Sequence, residues 1–170
     1  PSIRALYKVN EQQSLWAAVS HAVRTPARFE HSAVANVAVP TIPNVTARVE
    51  GTREYESEEL TAYELGYRAQ ISEALFFDLA LFYNDYDNLR TSERGTPIVG
   101  TPVLLPISYG NRLEGETYGV EIAPSWRVTE TWRLSAGYSY LETQLNRKGT
   151  TDATAENAEG DSPENQFHIR

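Results

Sequence analysis

Residues 60–89, LTAYELGYRAQISEALFFDLALFYNDYDNL, constrain the fold more than any other stretch of the chain. From Tyr63 the odd positions are Tyr63, Leu65, Tyr67, Ala69 and Ile71, while Glu64, Gly66, Arg68 and Gln70 fill the even ones. This period of two gives an extended strand one apolar face and one polar or small-residue face. Ser72, Glu73 and Ala74 turn the chain, and Leu75, Phe77, Leu79, Leu81 and Tyr83 resume the apolar face on the way back. Strands in ordinary sheets run about 5–6 residues, so a hairpin this tall is out of scale for an ordinary domain. The same phase turns Phe76 and Phe82 toward the polar side, where they need a covering segment or a bulge.

Shorter versions of the pattern recur on both sides. Ile3, Ala5, Tyr7 and Val9 alternate before the polar turn Asn10–Gln13, and Leu15, Ala17, Val19 and Val23 follow it with Trp16 and His21 out of character for their faces. Tyr118, Val120, Ile122, Pro124, Trp126 and Val128 form a later strand, with a bulge or weak pairing expected at Pro124, which has no N–H to donate. Thr129–Thr131 turn the chain into Trp132, Leu134, Ala136, Tyr138 and Tyr140, and Asn165–Arg170 read as the start of one more strand. The connections alternate in length: short at 10–13, 72–74 and 129–131, long at 25–59, 90–115 and 146–164. Long strands with short turns at one end and long loops at the other match an outer-membrane barrel, whereas a sandwich mixes its loop lengths.

Composition narrows the alternatives. A net charge of −8 argues against nucleic acid as a partner, because that role calls for a basic stripe. The absence of cysteine excludes disulfides, thiolate metal sites and a cysteine nucleophile. No window approaches 18 consecutive apolar residues, so no helix spans a membrane, a test to which barrel strands are blind. His21, His31 and His168 lack metal-ligand spacing, and Asp85–Asn88 lacks the glycine and distal glutamate of a calcium loop. No metal, cofactor or catalytic constellation is legible, and the chain reads as a non-enzyme. No signal peptide opens it, which fits a mature product or an excised piece.

Aromatic residues mark the two ends of the apolar face. Tyr63, Tyr83, Tyr118, Tyr138 and Tyr140 lie toward the long loops, and Trp126, Trp132 and Phe77 lie beside the short turns. Eight strand steps at roughly 3.3 Å, tilted by about 40°, rise roughly 20 Å, close to the apolar band of a membrane barrel. Tyr63, Tyr83, Tyr118, Trp126, Trp132 and Tyr140 are thus the expected lipid-facing girdle.

With these residues in view, the chain resembles the C-terminal part of the β-barrel of a TonB-dependent outer-membrane receptor. The motifs that carry the resemblance are SLWAAVSHAVRTPAR (14–28), ESEELTAYELGYRAQI (56–71), LALFYNDYDNL (79–89) and ETYGVEIAPSWRVTETWRLSAGYSYLET (116–143), which cover over half the chain in order. The resemblance implies an all-β, antiparallel up-and-down meander, a partial barrel in the bacterial outer membrane. It implies active uptake of a ferric siderophore or similar metal chelate, powered by TonB, with a plug domain in the full-length protein; cobalamin, metals and sugars are the family's other cargoes. About six strands and a stub stand where such barrels resemble the 22-stranded, plugged kind. No plug domain and no TonB box are visible, so the chain reads as a fragment, 1–170, open to self-association.

In such a barrel, ligand contacts come from the long loops and upper lumen. Arg24, Arg28 and His31 follow the second strand, and Tyr109 and Arg112 close the second long loop; cationic and aromatic side chains suit an anionic iron chelate. The competing expectation is a soluble all-β binding module, such as a carbohydrate-binding domain, which needs a second sheet to bury one face. Light scattering separates the two. The chain alone should be monodisperse only in detergent, and a monodisperse monomer in plain buffer would count against the barrel.

Overall fold

A computed structural model describes residues 1–170 as one sheet without a second layer. The elements in order are β1 (Ser2–Lys8), β2 (Gln13–Arg24), a short helix α1 (Arg28–Ser32), β3 (Val34–Ala38), β4 (Val45–Glu50), β5 (Glu58–Ser72), β6 (Leu75–Arg94), β7 (Val103–Arg127), β8 (Arg133–Arg147), a 3-10 turn (Ala155–Gly160) and β9 (Asn165–Ile169). Strands β1, β2, β5, β6, β7, β8 and β9 form an antiparallel meander with open edges at β1 and β9. Only 9 of 170 residues are buried, so no globular core exists and the second sheet that a soluble module requires is missing.

Register aligns the alternating faces. One row across the sheet reads Val19, Tyr63, Tyr83 and Tyr118; the next reads Ala17, Leu65, Leu81, Val120 and Tyr140; a third reads Leu15, Tyr67, Leu79, Ile122 and Tyr138. The lowest row joins Leu75, Trp126 and Leu134. These residues share one outward face, and many of them, such as Leu65, Tyr63 and Trp126, are exposed. The Tyr63 and Tyr83 rings lie 6.2 Å apart in the top row.

The opposite face is polar and carries a few large rings. Arg4 pairs with Glu64 at 3.8 Å and Arg68 with Asp78 at 2.9 Å. The Trp16 indole fills the space a Cβ on Gly66 would need, Phe82 does the same over Gly119, and the His168 ring covers Gly137. Aromatic rings seated on glycines of the neighbouring strand gain a flat contact and shield the glycine, although the Trp16 Nε1–H is buried there without a hydrogen-bond partner. Phe82 therefore needs no bulge. Trp16 belongs on this face for the same reason, while His21 lies on the outer face beside Thr61 at 3.2 Å.

Three stretches expected to be irregular are more ordered than the sequence suggests. Most of 90–115 is strand, because β6 continues to Arg94 and β7 begins at Val103, raising a hairpin above the level of its neighbours. Within 25–59 the chain forms α1 and the β3–β4 hairpin, and β4 lies parallel to the first residues of β7, from Val45↔Val103 to Glu50↔Ser108. Within 146–164 lies the 3-10 turn. Prolines delimit these segments without preventing pairing, since Pro106 faces Arg48 in the β4–β7 ladder. At Pro124 the β7–β8 ladder lapses between Ile122↔Tyr138 and Ser125↔Ser135 and resumes in phase, a weak pairing and not a bulge. The register shifts lie instead at Gln70–Ser72 and between Tyr86 and Thr91, where Asn88 takes φ 57°, a left-handed conformation that asparagine tolerates.

Seating Trp16 on Gly66 has a measurable consequence. Gly66→Val should lower stability by about 1–3 kcal/mol through overpacking. Gly160→Ala should be silent, because a Cβ there meets nothing within 4 Å. Denaturation midpoints in detergent micelles make the comparison.

Candidate functional site

The long-loop end gathers its polar side chains around two carboxylate centres. Arg24 ends β2 and Glu58 begins β5; they are cross-strand partners on the inner face. The Arg24 guanidinium donates to both Glu58 oxygens, from Nε at 2.7 Å and from Nη2 at 2.8 Å. It also donates to both oxygens of Glu30 on α1, at 3.1 and 3.0 Å. Glu30 is only 4% exposed, and it further accepts from the Ala27 amide at 2.8 Å and from Arg90 Nη1 at 3.2 Å. The Arg90 amide donates to Glu58 at 3.0 Å, and the Tyr55 hydroxyl bridges the pair, accepting from Arg24 at 2.8 Å and donating to Glu58 at 3.0 Å. Tyr109 roofs this network: Phe29 and Tyr55 meet its ring edge-on at 6.0 and 6.3 Å, and the Arg90 guanidinium lies 5.7 Å from its centroid.

Electrostatics follow from those contacts. Hydrogen bonds from Arg24 hold the Glu30 and Glu58 carboxyls below their ordinary value of 4.5, against the upward push of burial. The same bonds, with Glu58 contributing most, raise the Arg24 guanidinium, and burial, followed by the charge of Glu58, raises the Tyr55 phenol. Charge-assisted hydrogen bonds, the stronger kind, thus fix this loop to the sheet.

The second centre is Glu93 on the raised part of β6. Its carboxylate accepts from Thr91 Oγ1 and Thr150 Oγ1, each at 2.6 Å, from the Thr151 amide at 3.0 Å and from Thr151 Oγ1 at 3.1 Å, with Arg112 Nη1 at 3.7 Å. Burial pushes the Glu93 carboxyl up, and the threonine bonds outweigh it and bring it down. Asp152 adds a bond to the Ser92 amide at 3.0 Å. Lys148 lies between Asp87, at 3.1 Å, and Glu114. Together these tie the last long connection to the β6–β7 hairpin.

Beside the first centre, on the inner face, lies a cleft of about 490 Å³ whose lining includes Glu58. Tyr86, Leu89, Leu113 and Leu145 give it apolar walls, and Arg24 and Arg90 border it. The shifts in register between Tyr86 and Thr91 set Leu89 opposite Leu113.

The ligand-contact candidates divide. Arg24 and Tyr109 come together through the Arg90–Glu30 network and are engaged in holding the loop. Arg112 lies apart from them, donating to the Gly149 carbonyl at 3.2 Å beside Glu93. Arg28 and His31 are exposed on α1, where the Arg28 carbonyl accepts from Ser32 Oγ at 3.3 Å. Sequence reasoning missed Glu30, Tyr55, Glu58 and Arg90. The inward phase shared by Arg24 and Glu58 could have revealed that pair, whereas Arg90 lies beyond a register shift and gives no periodic signal.

An open antiparallel sheet of tall strands, apolar on one face and polar on the other, with its loop-bearing end built from charged clusters, is the wall of an outer-membrane-type β-barrel. The family described as TonB dependent receptor-like, beta-barrel, matches residues 1–169, and the chain belongs to it. Barrels of this family lie in the bacterial outer membrane, and its members are transporters, not enzymes. A protein described as a probable TonB-dependent siderophore receptor, PiuA of Acinetobacter baumannii, is 26% identical over 95 residues, 55% of this chain and 11% of that protein. The solved ferric enterobactin receptor PfeA of Pseudomonas aeruginosa superposes with a TM-score of 0.65 at 16% identity, over 89% of this chain and 26% of PfeA. The siderophore receptor PirA of Acinetobacter baumannii gives 0.66 at 18% identity, over 83% and 22%. The chain therefore spans a small part of the proteins it resembles.

Linkage gives the mouth a pH dependence with a defined sign. Because Glu30 and Glu58 titrate below 4.5 when folded, their contribution is complete above 4.5 and is lost as pH falls through the depressed values. Limited proteolysis of 25–57 should be slow at neutral pH and accelerate in acid. At neutral pH, Glu30→Ala should loosen the segment by about 1–3 kcal/mol.

Proposed function

We propose that this chain forms part of the barrel wall of an outer-membrane active transporter for a ferric siderophore or a similar metal chelate. The observation that carries the reading is the match of the whole open sheet to receptor barrels, combined with an apolar outer face in register. Tyr63, Tyr83, Tyr118 and Tyr140 face lipid toward the cell exterior, and Trp126 and Trp132 face it toward the periplasm, where amphipathic rings suit the interface. The relatives' names, ferric enterobactin and siderophore receptors among them, support an iron chelate as cargo.

The ligand enters from the loop-bearing end. Arg28, whose side chain no internal ion pair or hydrogen bond occupies, is the first cationic contact for an anionic chelate, with the exposed His31 ring on the same helix as a polar neighbour. Deeper in, the cleft bordered by Arg24 and Arg90 offers Tyr86, Leu89 and Leu113 to the chelate's apolar parts. Arg24, Tyr109 and Arg112 act chiefly by shaping that mouth. In the full-length receptor the plug domain fills the lumen, and TonB supplies the energy for uptake.

The test uses the full-length receptor in iron-limited cells. Deleting the gene should abolish uptake of radiolabelled iron from one chelate and leave other iron sources unaffected; unchanged uptake across a chelate panel would contradict the transport reading. Arg28→Glu should weaken chelate binding about tenfold, roughly 1.4 kcal/mol, with the barrel intact.

A further inference from the structure

The cleft beside Arg24 and Arg90 has one wall that does not come from the sheet. Ala155 and Ala158, on the 3-10 turn after β8, line it together with Leu89, Leu113 and Leu145. Two carboxylates hang that turn on β8. Strand β9 pairs with β8 as far up as Tyr140, with one further bond from the Leu141 amide to the Glu164 carbonyl at 2.8 Å. Above that level the β8 edge has no strand partner. There the Leu145 amide donates to Glu159 Oε1 at 2.5 Å, and the Arg147 amide donates to Glu156 Oε1 at 3.2 Å. The Arg147 guanidinium adds a contact to Glu156 Oε2 at 2.9 Å. Glu156 and Glu159 lie one 3-10 turn apart, a rise of roughly 6 Å, which matches the roughly 6.6 Å between alternate residues of a strand. The two side chains thus stand in for the absent strand. Ala155 and Ala158, each one residue before a clamping glutamate, are left to the cleft.

Charge in the lining is balanced. Arg24 and Arg90 are its only cations; Glu58 and Glu30 match them, and Glu30 bonds both. The rest of the lining is leucine, alanine, tyrosine and threonine, with Thr117 and Thr143 as cross-strand partners. An anionic iron centre placed there would give up water and meet no unpaired cation, which is a costly exchange. An uncharged apolar group gives up little and removes the leucine walls from water. The volume of about 490 Å³ suits part of a small molecule.

We infer that the 3-10 turn is the selectivity wall of this cleft, and that the cleft takes an uncharged apolar arm of the chelate while the iron centre stays outside it. Ala155 and Ala158 decide how wide an arm fits, because a larger side chain at either position would fill the space the arm needs. Glu156 and Glu159 are positioning residues: they touch no ligand and hold the alanine wall at its distance from Leu89 and Leu113. A receptor of this kind distinguishes chelates that share an iron-binding head and differ in an apolar appendage. The inference rests on the receptor reading above.

The experiment supplies iron-limited cells carrying the full-length receptor with radiolabelled iron on paired chelates. The heads are a tris-catecholate, a tris-hydroxamate and a citrate-type carboxylate, each with and without an octanoyl arm, and uptake by gene-deleted cells is subtracted. For the head that the receptor accepts, the octanoyl member should half-saturate uptake at a concentration at least about tenfold lower. Ala158→Phe should bring the two members within about twofold of each other by weakening only the octanoyl one. If Ala158→Phe impairs insertion, Ala155→Leu should give the same narrowing. Glu159→Ala should also narrow the preference, and Glu159→Gln should restore it, because an amide oxygen still accepts from Leu145. Gly160→Ala, where a Cβ meets nothing within 4 Å, should leave the ratio unchanged. Equal half-saturation for both members of an accepted pair overturns the inference alone, as does a preference untouched by Ala158→Phe and Ala155→Leu in a heat-modifiable receptor. Uptake from no pair overturns the receptor reading and the inference with it.

Discussion

Everything on the outer face depends on cross-strand register. Side chains alternate with a period of two, so a slip of one residue between β5 and β6 would send Leu79, Leu81 and Tyr83 inward and expose Asp78 and Phe82 outside. Within a bilayer no water is available to satisfy a stranded backbone group, so strands survive there only when each is paired on both sides and presents apolar side chains to lipid. The rows from Val19 to Tyr118 and from Ala17 to Tyr140 meet that second condition across several strands at once. The edges at β1 and β9 do not meet the first condition within this sheet.

The loop-bearing end obeys a different physics. Water is plentiful there, apolar side chains such as Phe29, Val34, Val37 and Ile42 stay exposed, and order comes from carboxylates that each collect several donors. Glu30 and Glu93 are the two hubs: one fastens the segment that carries α1, β3 and β4, and the other fastens the connection after β8. Because Arg24 and Arg90 already serve Glu30 and Glu58, their charge is largely balanced, and this part of the rim offers shape more than a free cation. Exposed Arg28 stands outside that balance.

The strand pattern was legible because it repeats. Tyr63 to Ile71 and Leu75 to Tyr83 specify a hairpin and its facing, which the structure keeps, while its height grows because β6 continues to Arg94. The short turns and the strand from Asn165 were equally readable. Legibility failed where contacts are long-range. Nothing local says that 103–108 pairs in parallel with 45–50, so a proline-bearing stretch read as loop. The phase of Trp16 and Phe82 looked wrong because their partners, Gly66 and Gly119, lie on the next strand and contribute no signal of their own. Arg24 and Tyr109 stand out in the sequence for their chemistry, and only the fold shows that Glu30, Glu58, Phe29 and Tyr55 already engage them.

The central claim is that the odd-numbered face of β6 meets lipid and the even-numbered face meets an aqueous or protein-filled lumen. Spin labels on single cysteines at positions 75–83 of the full-length receptor in bilayers test it directly, through their access to oxygen and to a water-soluble nickel chelate. The expected result is a period of two, with high oxygen access at Phe77, Leu79 and Leu81 and low oxygen access at Asp78, Ala80 and Phe82. Uniform access along the strand, or the opposite phase, would contradict the account.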